Sequence, residues 1–237
     1  MFGIGFVALV TSVALAGPLP EEPWPAAQLV TPIDFPGFDD QLSTFQEVVG
    51  HLSARFNLTI KVNERAFRDE RCNEVAMFKI AGKQPVAPMA GVPFARAIEA
   101  VLERLPNRSG AIVLARADHL EITTVAAARA EILGEDKRPL LPLIHLRETE
   151  QPIEKVLVAV MAQTPYSIVV DARAKTLLNK PVTIRLMNVP TDRALQTIAE
   201  LGGLQVVRRQ NIFVVTTPEQ AERLRKEESA PVKSTGK

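Results

Sequence analysis

Apolar positions along residues 140–224 follow two rhythms in turn, one of period two and one near 3.6, and their alternation sets an order of elements. Leu143-Ile144-His145-Leu146 predicts a strand. Ile153, Val156, Leu157, Val160 and Met161 form one stripe of a helix predicted over 151–164. Strands are predicted over 166–171 and 181–186. In the second, Val182, Ile184 and Leu186 face one way, and Thr183 and Arg185 the other. A second helix is predicted over 190–201, with Pro190 in its first turn, where a missing N–H costs nothing, and Gly202-Gly203 as its stop. Residues 204–208 and 212–216 predict a hairpin turned at Gln210-Asn211, and a short polar helix over 219–226 closes the unit. The order is β-α-β-β-α-β-β-α. Each apolar stripe needs cover, and helix stripe and sheet face supply it to each other.

Residues 33–133 carry the same pattern. A shift of 108 positions lays Phe35 on Leu143, Phe38 on Leu146, and Phe45, Val48, Val49 and Leu52 on Ile153, Val156, Leu157 and Val160. A shift of 97 lays Val92-Pro93 on Val189-Pro190 and Ala97-Ile98 on Ala194-Leu195. The first copy therefore holds about 11 additional residues, within 67–90, together with Cys72. The expected fold class is α+β: two tandem βαββαββ-type small domains, each with two helices on short mixed sheets. The expected layout is a signal peptide over 1–16, a proline-rich extended spacer over 17–32, a first repeat over 33–133, a linker over 134–139, a second repeat over 140–226 and a disordered tail over 227–237. The short polar linker predicts semi-independent units.

Residues 2–16 are almost wholly apolar or small, and Ala14-Leu15-Ala16 fits the small-x-small rule for signal cleavage, although no Lys or Arg precedes the run. The run is short for a stable membrane span, so export with no span after cleavage is expected, which places the chain in the periplasm or outside the cell. A net charge of +1 gives no bulk field toward nucleic acid or anionic membrane. One Trp and one Tyr leave no stacking platform for single strands. A single cysteine excludes an intramolecular disulfide and a cysteine metal cluster.

The run Asp171-Ala172-Arg173-Ala174, Pro181-Val182-Thr183-Ile184, Asn188-Val189-Pro190, Ala194-Leu195, Gly203-Leu204 and Val214-Val215-Thr216-Thr217 resembles the short N-terminal domain shared by secretins and TonB-dependent receptors. The second repeat carries it over about 85 residues. The first keeps Pro85-Val86 and has residues 106–110 where the second has its paired glycines. The resemblance implies a periplasmic protein-docking module. Its motif is made of core and turn residues and carries no chemistry. The expectation is the module alone, in two copies.

Candidate chemistry is sparse. His51, His119 and His145 fall in a helix, a turn and a strand without ligand spacing for zinc, and His145 alternates with Ile144 and Leu146 as a solvated strand residue would. Cys72 has no partner base. Asp39-Asp40 reads as a charge pair at a helix start rather than a calcium loop. No catalytic, cofactor-binding or metal residue is assigned. The expected partner surface is the hairpin, with Arg208, Gln210 and Asn211, joined by Arg193; Arg208-Arg209 with Arg193 would form a basic spot. The expected function is non-catalytic docking to an envelope protein by strand addition or face contact, in transport, secretion or signalling, with no nucleic-acid partner and no cofactor. The alternative is an envelope enzyme with a site between the repeats, built from His119 with Asp118 or Glu121.

Overall fold

The computed structural model describes residues 24–40, 43–81 and 85–229. The leader expected over 1–16 and residues 230–237 of the expected tail lie outside the described residues, while 227–229, expected in that tail, are helical. What is described is a mixed α+β fold with several small sheets.

The first half runs α1 (Pro25–Val30), β1 (Pro32–Phe35), α2 (Phe45–Phe56), β2 (Ile60–Val62), α3 (Glu64–Asp69), a 3₁₀ turn (Val75–Met77), β3 (Met89–Pro93), α4 (Phe94–Leu102), β4 (Ala111–Ala115), β5 (Leu120–Thr124) and α5 (Val125–Leu133). The second runs β6 (Leu143–Pro152), α6 (Ile153–Met161), β7 (Ser167–Val170), a 3₁₀ segment (Ala172–Asn179), β8 (Pro181–Pro190), α7 (Thr191–Gly202), β9 (Gln205–Arg209), β10 (Ile212–Thr216) and α8 (Pro218–Ser229). Pairing is the same in both: β1 with β3 and β6 with β8 as antiparallel ribbons, and three-stranded sheets ordered β2-β5-β4 and β7-β10-β9. Individual hydrogen bonds recur as well. The Phe94 amide donates to Thr31 C=O and the Thr191 amide to Pro142 C=O, each at 3.0 Å. The Asn63 amide donates to Ile122 C=O at 2.8 Å and the Asp171 amide to Val215 C=O at 2.9 Å.

Each half closes its own apolar cluster. Phe35, Phe45, Leu52, Phe67, Phe94, Ile98 and Ile122 are buried in the first; Ile144, Ile153, Leu157, Leu195, Ile198, Phe213 and Val215 in the second. The helix starts follow from local chemistry. In α2 the Thr44 hydroxyl accepts from the Glu47 amide at 3.3 Å, while the Glu47 carboxylate accepts from the Thr44 amide at 2.8 Å. Those bonds to Thr44 hold the Glu47 carboxyl below its usual range. Thr44→Ala removes this reciprocal pair and is expected to cost about 1 kcal/mol, read as a lower melting temperature together with faster amide exchange in the first turn of α2. Gly203 ends α7 in the left-handed conformation, φ 74°.

Several sequence expectations change. Residues 24–30, placed in an extended spacer, form α1, because Pro25 occupies a first-turn position where no N–H is needed, while Ala26 and Leu29 bury against the first cluster. Pro190 precedes α7 as its N-cap, at φ −55° and ψ 142°, instead of entering the first turn. Strand β8 runs on to that proline and β6 runs on to Pro152, which shortens the predicted helix to α6. Asp39 and Asp40 do not start α2; the cap is Thr44, and Asp40 accepts from the Ser43 hydroxyl. Strand β1 matches β6 at a shift of 111, not 108: Ile33 pairs with Val92 as Ile144 pairs with Val189. The linker is tied down. Arg129 donates to the carbonyls of Asp136 and Arg138, and Arg138 bridges Asp136 at 2.7 Å and Asp192 at 3.3 Å.

Candidate docking surfaces

The strand register explains the most specific contact between the halves. In the β6–β8 ribbon Ile144 faces Val189 and Leu146 faces Leu186, so His145 stands against two residues, Met187 and Asn188. This is a β-bulge. Asn188 takes φ 55°, a left-handed conformation that Asn tolerates better than most side chains. The bulge turns the Asn188 carboxamide toward the first half. There its Oδ1 accepts from the Ala115 amide at 2.8 Å, and its Nδ2 donates to the Ala115 carbonyl at 2.7 Å. Strand β4 is an edge of its sheet, so one side chain supplies the acceptor and donor that a neighbouring strand would supply. Met187 packs against the first half's apolar cluster, and α1, part of that cluster, packs against β6.

His145 lies in this junction. It is 6% exposed, against the solvated position expected from alternation. The reason is that both faces of β6 are covered here, one by its own unit and one by the other. Gln163, just past α6, holds the His145 backbone by accepting from its N–H and donating to its C=O, both at 2.9 Å. The imidazole Nδ1 accepts from the Asn188 amide at 3.4 Å. Burial pushes its pKa down to about 4.

Among the residues assigned to the partner surface, Arg208, Gln210 and Asn211 stay together at the hairpin, while the arginines turn to different neighbours. Arg208 lies over Tyr166 and Phe213, with its guanidinium carbon 5.4 and 5.5 Å from the ring centroids, and its Nε donates to Gln210 C=O at 3.2 Å. Gln210 turns the hairpin at φ 51°, and Asn211 is exposed with its carbonyl accepting from the Ser167 amide at 3.3 Å. Arg209 leans the other way, to Leu224 C=O and Glu227 on α8. Arg193, exposed on α7, has its field on Asp136 in the linker. The basic spot expected from Arg193, Arg208 and Arg209 is thus divided among three neighbourhoods.

The outer sheet strands form a different surface. Strands β7 and β9 are the two edges of their sheet. Val169 on β7 is 48% exposed and Ile212 on β10 is 41% exposed, and the register puts both on the face that carries α8. Helix α8 packs on β9 and leaves Val169 uncovered.

The groups named for an enzyme site are engaged in structure. His119 Nδ1 meets the Asp118 carboxylate at 2.6 Å at the β4–β5 turn, and this bond holds the Asp118 carboxyl low. The Glu121 carboxylate accepts from Arg116 at 3.1 Å and from Asn63 at 3.1 Å, and Arg116 also grips Glu131 at 2.5 Å. His51 packs edge-on against Phe38, centroids 5.7 Å apart, in an open groove of about 980 Å³ between α2 and residues 85–88. The Cys72 thiol is half-buried, and burial with the nearby Glu70 charge raises its pKa. Among the described residues no group of three His, Cys, Asp or Glu side chains could hold a metal ion, and no helix is long and apolar enough to cross a membrane. In the sequence Asn188 belongs only to a turn motif; the positive φ it adopts shows only in the structure.

No known protein family matches the chain, and no curated protein matches it.

Proposed function

We propose that this chain is an exported, non-catalytic docking module of the cell envelope, working as the short N-terminal domains of secretins and TonB-dependent receptors do and gripping a partner protein through its sheet edges. The observation that carries the reading is the Asn188–Ala115 clasp: an edge strand of this fold already takes up a neighbouring protein segment through its backbone N–H and C=O. The edges of β7 and β9 offer the same groups, with Val169 and Ile212 as apolar footing beside them. The export leader expected over residues 1–16 supports an envelope location.

The test is crosslinking in the native envelope, with a photo-reactive residue placed at Val169, at Ile212 or, as control, at the exposed Lys175. A discrete adduct with one envelope protein from the first two sites and none from Lys175 is the expected result. Equal, diffuse labelling from all three would overturn the proposal.

A further inference from the structure

The two halves repeat a lock and a key. The key is the bulge two residues before the helix-capping proline: Asn188 before Pro190, and Gly91 before Pro93. Both take positive φ, 55° and 63°, and both sit opposite a single residue of the paired strand. The bulge amide bonds that residue's side chain each time, Asn188 to His145 and Gly91 to Asp34, the latter at 2.9 Å. In the second half the key carries side chains, Met187 and Asn188, whereas in the first it is blank, Ala90 and Gly91.

The lock is the outer edge of the last-but-one strand. In the first half it is Ala115, filled by Asn188. In the second half the matching position is Arg208: it pairs with Phe213 as Ala115 pairs with Leu120, each opposite the first buried residue of the next strand. Val206 C=O faces outward, toward Arg225, so two residues on the Arg208 amide and carbonyl point outward as well. Strand β9 has no strand partner on that side among the described residues. The Arg208 side chain lies over Tyr166 and Phe213, and Arg208 is an exposed residue of β9.

We propose that the β9 edge at Arg208 is the acceptor for a third module of this same class, carried by a partner protein and keyed by an asparagine or glutamine carboxamide at the equivalent bulge. The contact is head-to-tail, so its two surfaces differ. A second copy of this chain cannot supply the key, because one of its keys is already inserted in its own first half and the other is blank. This rests on the docking reading above and narrows it to one edge and one kind of partner.

The test installs a key in the full chain. Ala90→Met with Gly91→Asn gives the first half the side chains of the second. The doubly substituted chain is expected to sediment as head-to-tail assemblies that grow with concentration, and its Arg208 amide to gain protection from hydrogen exchange, while the parent chain does neither. Arg208→Pro added to the keyed chain removes the N–H at an edge position that tolerates proline and is expected to reverse both effects. A keyed chain that folds with an unchanged circular dichroism spectrum, yet sediments as the parent does with the Arg208 amide unprotected, would overturn this inference. Envelope adducts from Val169 or Ile212 under that outcome would show the docking reading standing without it.

Discussion

Asn188→Gly is expected to open the junction between the halves while leaving each half folded. Glycine keeps the left-handed bulge, as Gly91 shows at the matching place, so backbone strain is not introduced. What is lost is the carboxamide. The Ala115 N–H and C=O, on a residue that is 0% exposed, then have no partner unless water reaches them. An unsatisfied buried group costs about 1–3 kcal/mol, so the loss is about 2–6 kcal/mol for the pair. Asn188→Ala adds the cost of a left-handed alanine, about 1–2 kcal/mol. The order of stability is therefore wild type, then glycine, then alanine. The readouts are separable: exchange of the Ala115 amide should quicken in both variants by 10-fold or more, and small-angle scattering should show a longer particle, while amides inside β5 and β10 keep their protection. Unchanged Ala115 exchange in Asn188→Gly would show that the junction is held by Met187 and α1 instead.

The parts of this architecture that were legible in the sequence are the ones set by a single unit's periodicity. The stripe on α6, the alternation of Val182, Ile184 and Leu186, and the β9–β10 hairpin all follow from residues packing within one cluster. The bulges were not legible, because a bulge changes the register without changing the alternation on either side. That is why β6 and β8 extend beyond their predicted ends, with Glu150 and Asn188 both at positive φ. Helix α1 was hidden by its prolines, which read as a stiff spacer until Leu29 and Ala26 find the first cluster to bury against. The junction was hidden for a deeper reason. His145 and Asn188 are polar residues in strands, and only the presence of the other unit decides whether such a residue meets water or protein. The basic spot failed on the same ground: Arg208 had aromatic rings to cover, and Arg193 stands beside the linker acid Asp136.

Acid should loosen the same junction through His145. The imidazole titrates near pH 4 in the folded chain and near 6.5 when unfolded. Above pH 6.5 neither state holds the proton, and stability is independent of this group. Between 6.5 and 4 the unfolded chain binds a proton that the folded chain refuses, so stability falls as pH falls. Below 4 both states are protonated and the slope ends. The full loss is about 3 kcal/mol. Among the described residues no counter-charge serves an imidazolium here: α1 and β4 contain no charged residue, β8 contains only the exposed Arg185, and burial is the one cause of the His145 shift. Protonated Nδ1 would also point a hydrogen at the Asn188 N–H, the bond that sets the bulge, so acid acts on the clasp directly. His145→Asn keeps an acceptor oxygen and cannot titrate. Its melting temperature is expected to vary less than the wild type's between pH 6.5 and 5, a range chosen above that of the paired carboxylates such as Asp136 and Glu121, whose pKa values Arg138 and Arg116 hold low. Wild-type and variant curves that run parallel over that range would mean that His145 gains a proton in the folded chain as readily as in the unfolded one, and that the junction is wetter than its packing implies.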